Sequence, residues 1–154
     1  MKALSLWQPW ASFIAIGVKP FETRDWPPPL WLVGQRIAIH AAKKAVEPDD
    51  REWARIAGAS DLPLGAIVCT ALLAGAYQCG ADMPQKPWHC RVEARRGLVT
   101  PERATIKVDE FGDYHAGRWA WLLTHIERFD PPIPARGAQG LWDWVYTVDR
   151  AADG

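Results

Sequence analysis

Gly17-Val18-Lys19-Pro20-Phe21-Glu22-Thr23-Arg24 puts three ionisable side chains directly after the glycine that closes a short amphipathic helix. The helix is read over residues 9–16. Pro9 suits a first helical position, Trp10, Phe13 and Ile14 recur at the spacing of one buried face, and Gly17 supplies a left-handed cap. Pro20 biases Lys19 away from the α region, so the chain leaves extended over residues 21–26. In a strand, Glu22 and Arg24 share one face and Phe21 and Thr23 the other. An amine, a carboxylate and a guanidinium are therefore expected to converge beside the helix end.

Outward from this stretch, residues 3–6 read as a first strand, and Pro27-Pro28-Pro29 breaks regular structure. Residues 36–41 alternate Ile37 and Ile39 against Ala38 and His40, the pattern of a half-buried strand, which runs into Lys43 and Lys44. A second helix is read over 48–57, with acidic residues in its first turn, Trp53, Ile56 and Ala57 on one face, and Gly58 as the stop; it is expected to cover one end of the fold. Residues 64–76 are apolar on both faces, which predicts a long central strand bracketed by Gly65 and Gly75. From 77 to 101 the periodicity fails, and the glycines and prolines there predict a long insertion that carries Lys86, His89, Arg91, Arg95 and Arg96, partly offset by Glu93 and Glu102. Residues 105–110 and 118–126 flank a glycine-containing turn and read as a hairpin that Pro131 and Pro132 end. Residues 141–148 alternate as a final strand.

Composition bounds the function classes. A chain of 154 residues is the size of one domain. A single domain over 3–149 with a loose tail at 150–154 is the expectation. Lys plus Arg equals Asp plus Glu at 18 each, so a polyanion-binding surface must be a local patch. No long apolar run suggests a membrane span, and Met1-Lys2 leads straight into a strand, so a cytoplasmic protein with no membrane partner is expected. Cys69, Cys79 and Cys90 are odd in number and lack C-x-x-C spacing, which argues for reduced thiols and against a disulfide framework or a zinc site; no metal and no cofactor are expected. The ten tryptophans are chiefly packing, but one or two at a cleft would stack on a base for about 1–3 kcal/mol each.

The opening motif resembles the Gly-x-Lys-x-x-Glu-x-Arg signature of the ASCH family, a branch of the PUA-like barrels. Three further blocks resemble that family in order: Ala3-Leu4-Ser5-Leu6-Trp7-Gln8-Pro9-Trp10-Ala11, Ile37-Ala38-Ile39-His40-Ala41-Ala42-Lys43 and Gly140-Leu141-Trp142. The resemblance implies an α+β, mainly β fold, a small PUA-like barrel of about six strands with flanking helices. It also implies a cleft that binds RNA, single-stranded nucleic acid or a nucleoside, lined by Lys19 and Glu22.

The residues gathered between the first helix and the strand at 36–41 then receive candidate roles. Lys19, Arg24 and Lys43 would hold phosphates, Gln8 and Glu22 would read base or sugar edges, and Trp10 or Trp26 would offer a stacking face. His40 is a further ligand-binding candidate. The alternative is hydrolysis: some ASCH members cleave the amide of acylated cytidine, and Lys19 with Glu22 are the candidate catalytic pair. Those members have a threonine where this chain has Glu22, and a carboxylate on a central strand where residues 64–76 contain none. Ribonuclease activity, with Lys19 and Arg24 stabilising charge and His40 or Glu22 moving protons, is a further option, and a non-catalytic interaction adaptor is the third reading.

Overall fold

A computed structural model of the chain describes residues 1–80, 89–93 and 104–146. Strand β1 (Lys2–Leu6) leads into helix α1 (Trp10–Ala15), β2 (Phe21–Arg24) and, after a single 3-10 turn at Leu30–Leu32, β3 (Arg36–Ala41). Helix α2 (Pro48–Ile56) precedes β4 (Ala66–Cys79), β5 (His89–Glu93), β6 (Ala104–Lys107), β7 (Trp119–Pro134) and β8 (Leu141–Asp143). The main sheet has the order β2-β7-β4-β3-β1-β8, with β5 and β6 attached at the end of β4. Among the described residues, only β1 and β3 pair in parallel.

The mainly β, α+β class stands, with six strands on the sheet path and two α-helices among the described residues. The sheet is open rather than a closed barrel: β2 and β8 are its two ends, and no pairing among the described residues joins them. The main core lies between α1 and the sheet, where Leu4, Ile14, Ile37, Ile39, Leu73 and Trp121 pack together.

Several expectations change. β3 is buried on both faces rather than one, because Ala3, Ala38 and Ile67 on the second face are covered by Trp144 and by Phe129 and Ile133 of β7. β7 continues through Pro131 and Pro132 to Pro134, pairing β4 as far as Ala66, while β2 pairs only residues 119–122. Both prolines fall in the register shift between Arg128 and Ile133, where neither β4 nor β2 pairs with them, and a strand tolerates proline at such a bulge. The hairpin of 105–110 with 118–126 is not formed: β6 pairs β5, and β7 pairs β4 and β2. In α2, Ala54 is buried, whereas Ile56 is 71% exposed; Trp53 carries the contact, meeting Trp10 and Phe13 edge-on. The final strand is shorter than its alternation predicts, since β8 pairs β1 over Leu141–Asp143 and Trp144 then turns into the core. The expected insertion begins later than predicted, since β4 runs on to Cys79 and 89–93 is strand. Lys86, Arg95, Arg96, most of the expected insertion and the tail at 150–154 lie outside the described residues.

Candidate functional site

Gly17 has φ +83, and the N–H groups of Val18 and Lys19 both bond back to the carbonyl of Phe13 at 3.1 Å. This cap turns the chain sharply at Lys19. Pairing of β2 with β7 then fixes the register, with Glu22 opposite Trp121 and Arg24 opposite Trp119. Phe21 packs with Ala120, Cys79 and Tyr114, which leaves Glu22 and Arg24 on the face toward α1 and β1.

The three ionisable groups do converge. Lys19 Nζ donates to the Phe21 carbonyl and to Glu22 Oε2, the latter at 3.1 Å. Arg24 Nε lies 3.1 Å from Glu22 Oε1, and Arg24 Nη2 donates to the Ser5 carbonyl at 3.1 Å. The Arg24 Nε–H is not directed at the carboxylate and has no hydrogen-bond partner among the described residues, although the atom is buried. Arg118 repeats this arrangement. Its Nη2 donates to the Thr23 carbonyl at 3.1 Å, its Nε stands 3.8 Å from Asp113 Oδ2, and that N–H too is buried and unpartnered among the described residues.

These residues line a cavity of about 540 Å³ with Trp7, Trp10, Asp25 and the 111–113 turn. Its described lining holds three cations, Lys19, Arg24 and Arg118, and three carboxylates, Glu22, Asp25 and Asp113. Hydrogen bonding from His115 holds the Asp113 carboxyl below its ordinary range.

A second cavity of about 930 Å³ adjoins it, with Ser5, Trp7 and Arg24 lining both. His40 and Lys43 belong to this second cavity. His40 is buried, and its two ring nitrogens are occupied: Nε2 is 3.0 Å from the Ala135 carbonyl and Nδ1 is 3.0 Å from Ser5 Oγ. A carbonyl only accepts, so Nε2 carries the hydrogen and Nδ1 accepts from the Ser5 hydroxyl. Ser5 Oγ in turn accepts Trp142 Nε1–H at 3.0 Å. Burial lowers the His40 pKa from its ordinary value, against the opposing pull of the Ala135 bond. The ring is a neutral link in a polar chain.

Two of the residues expected at the site lie elsewhere. Gln8 is buried beneath α1: its Oε1 accepts the Ser12 N–H at 3.0 Å, and its Nε2 donates to Ser12 Oγ at 2.8 Å and to the Pro63 carbonyl at 2.9 Å. Pro9 stands at the cap position and has no side-chain acceptor, so Gln8 supplies the bond that a Ser or Asp would ordinarily give. Trp26 packs edge-on against Trp121, and its carbonyl accepts the Trp121 indole N–H. It contributes to the core rather than to the cavity. Arg118, Asp113, Ser5 and Trp7 line the cavity without having been singled out in the sequence. The only sequence signal for Arg118 is its position at the start of an expected strand after Gly117. Among the described residues no group of His, Cys, Asp and Glu is arranged to hold a metal ion, and no helix is long and apolar enough to cross a membrane.

No family model matches the chain, and no curated protein matches it in sequence. Similar solved structures include ASCH from Zymomonas mobilis, at 18% identity and a TM-score of 0.46 over 86% of this chain and 72% of that one. A serine-to-alanine mutant of the same Zymomonas mobilis protein gives 17% identity and a TM-score of 0.45 at the same coverage.

Proposed function

We propose that the chain is an ASCH-type domain whose 540 Å³ cavity binds a nucleoside or nucleotide-like ligand. The observation that carries this reading is the cavity wall itself, where the Lys19–Glu22–Arg24 ion pairs and Arg118 beside Asp113 set hydrogen-bond donors and acceptors side by side. A base or sugar edge presents the same mixture of donors and acceptors, and each hydrogen bond it makes to a charged group there is worth about 1.5–3 kcal/mol. The volume is that of an ordinary small-molecule site. Equal numbers of cationic and acidic lining residues suit a polar, uncharged base and sugar better than a long phosphate backbone. Trp7, 57% exposed at the rim, is the better stacking candidate than Trp10, which is engaged with Trp53.

Calorimetric titration with cytidine, uridine, adenosine and guanosine tests the proposal. At least one is expected to bind, and Arg118→Ala to weaken it about tenfold, the loss of one charge-assisted bond. If none binds at millimolar concentration, the reading is wrong. Affinity found only with long RNA, and falling steeply with salt, would instead assign the surface to a polymer.

A hydrolytic second reading draws on the ion pair itself. Lys19 and Glu22 touch each other at the cavity wall, so an acyl carbonyl seated there would meet a donor and a carboxylate together. Multiple-turnover release of carboxylate from N4-acetylcytidine, with kcat lost in Lys19→Met, would establish it. Unchanged ligand after prolonged incubation would leave binding alone.

A further inference from the structure

The two adjoining cavities differ in charge. In the first, Lys19, Arg24 and Arg118 face Glu22, Asp25 and Asp113. In the second, the described lining carries Arg24, Lys43 and Arg136 and no carboxylate at all. Arg24 stands in both, beside Ser5 and Trp7. A molecule reaching across Arg24 would pass from a charge-balanced wall to one that is wholly cationic.

Local structure holds that cationic wall in place. Lys43 lies with its stem across Gly65: a Cβ at that glycine would stand 2.6 Å from Lys43 Cε and 3.0 Å from Cγ. The missing side chain lets the stem lie flat over the backbone where β4 begins. Arg136 sits on the segment that His40 ties to the sheet through the Ala135 carbonyl. Gly137, next along, packs against the His40 ring so closely that a Cβ would come within 2.3 Å of Cε1. Lys44 adds a further cation near the partition, its ammonium 3.3 Å from the centroid of the Trp7 ring. His40, with both nitrogens bonded, contributes position rather than charge.

We propose that the second cavity takes a phosphate group attached to the nucleoside that occupies the first, so that together they form one bipartite site for a phosphorylated nucleoside. Arg24 is the shared contact, and Lys43 and Arg136 are the phosphate-binding cations. The inference rests on the nucleoside reading of the first cavity. Arginine and lysine together supply both forked and point-charge recognition of phosphate oxygens.

The test compares cytidine, cytidine 5′-monophosphate and the dinucleotide CpC by titration against the wild-type protein and the Lys43→Ala, Arg136→Ala double variant, with urea denaturation confirming that both fold. The phosphorylated ligands are expected to bind about tenfold or more tightly than cytidine, with that ratio falling toward one in the double variant and at high salt. An advantage for the monophosphate alone assigns the phosphate to free nucleotides, and one for CpC assigns it to a strand; either supports the site. Equal affinity for cytidine and both phosphorylated forms, or a ratio untouched by the double substitution, overturns the phosphate site while the nucleoside cavity stands. Failure of all three to bind, with uridine, adenosine, guanosine and their 5′-monophosphates failing as well, overturns the cavity reading and the phosphate site with it.

Discussion

Lys19 and Glu22 meet at 3.1 Å while exposing only 2% and 9% of their side chains, so the polar centre of the cavity is also a buried ion pair within the fold. Its two ends are not equivalent. Glu22 has Lys19 at one oxygen and Arg24 Nε at 3.1 Å from the other, whereas Lys19 has, beyond Glu22, the Phe21 carbonyl. Removing the carboxylate strips both cations of their counter-charge; removing the amine leaves the carboxylate beside one cation. Glu22→Gln is therefore expected to destabilise by about 3–5 kcal/mol, and Lys19→Met by about 1–3 kcal/mol. Urea denaturation of both variants checks the order, and equal losses would show that Arg24 does not support Glu22.

The His40 ring gives stability a pH dependence with a definite sign. Its folded pKa is depressed below the ordinary 6.5 by burial, and Lys43, Arg24 and Arg136 are the charged residues that share its cavity. Above the ordinary value both folded and unfolded chains hold the ring neutral, and the group contributes no slope. As pH falls through the window between the ordinary and the depressed value, the unfolded chain takes up a proton that the folded one refuses, so stability declines. Unfolding free energies measured from about pH 7.5 to pH 5 should fall more steeply for the wild type than for His40→Gln. Parallel curves would place the dependence on other groups.

Gly137 and His40 are predicted to be coupled. A Cβ at 137 would lie 2.3 Å from His40 Cε1, 2.5 Å from Nδ1 and 2.9 Å from Ser5 Oγ, so an alanine must displace the segment or the ring. Gly137→Ala should cost about 1–3 kcal/mol as overpacking, and less in a His40→Ala background, where the two nearer atoms are gone and only the Ser5 hydroxyl remains. A double-mutant cycle by thermal or urea unfolding measures the difference. Additive effects would mean that the segment yields freely.

Cys69 sits at the centre of the core, and burial pushes its thiol pKa up to about 12. The thiolate is the reactive form, so native Cys69 is expected to resist alkylation at a pH where a free thiol reacts readily. A Cys79→Ser, Cys90→Ser variant isolates it. Iodoacetamide labelling followed by intact mass should show no adduct in buffer and full modification in urea; rapid native labelling would indicate an opening of the core.

Much of this fold is legible in the sequence because its signals are local. Gly17, the apolar spacing of Trp10, Phe13 and Ile14, and the alternation of Glu22 and Arg24 each act within a few residues, and each is met in the structure. What the sequence hides depends on distant partners. Whether Pro131 and Pro132 can sit in a strand depends on the shift in register between β4 and β7, and whether β3 is half or wholly buried depends on Trp144. The same division runs through the site. Lys19, Glu22 and Arg24 come together from one short stretch, but Arg118 reaches Thr23 from 95 positions away. Gln8 departs from expectation for a different reason: a buried amide answering a proline-capped helix and an amide reading a ligand look alike in sequence.

The 109–114 turn supplies the last prediction, since it governs the cavity mouth through residues that do not line it. Asp109 accepts the Phe111 N–H at 2.9 Å and the Tyr114 hydroxyl at 2.8 Å, while the Tyr114 ring fills the space a Gly112 side chain would need, 2.6 Å from a Cβ there. Burial, reinforced by the neighbouring Asp109 charge, raises the Tyr114 pKa, which keeps its hydroxyl a donor. Held this way, the turn presents Phe111, Gly112 and Asp113 to the cavity and gives the Asp113 N–H to Thr23 Oγ1. Tyr114→Phe keeps the ring but leaves one carboxylate oxygen of Asp109 without its hydroxyl donor, a loss of about 1–2 kcal/mol. Nucleoside affinity should fall as well, although Tyr114 does not line the cavity, because Asp113 and Phe111 lose their fixed placement. Gly112→Ala should do the same by collision with the ring. Titration with cytidine alongside urea denaturation separates the two effects, and full affinity in a Tyr114→Phe protein of measurably lower stability would show that the turn does not shape the site.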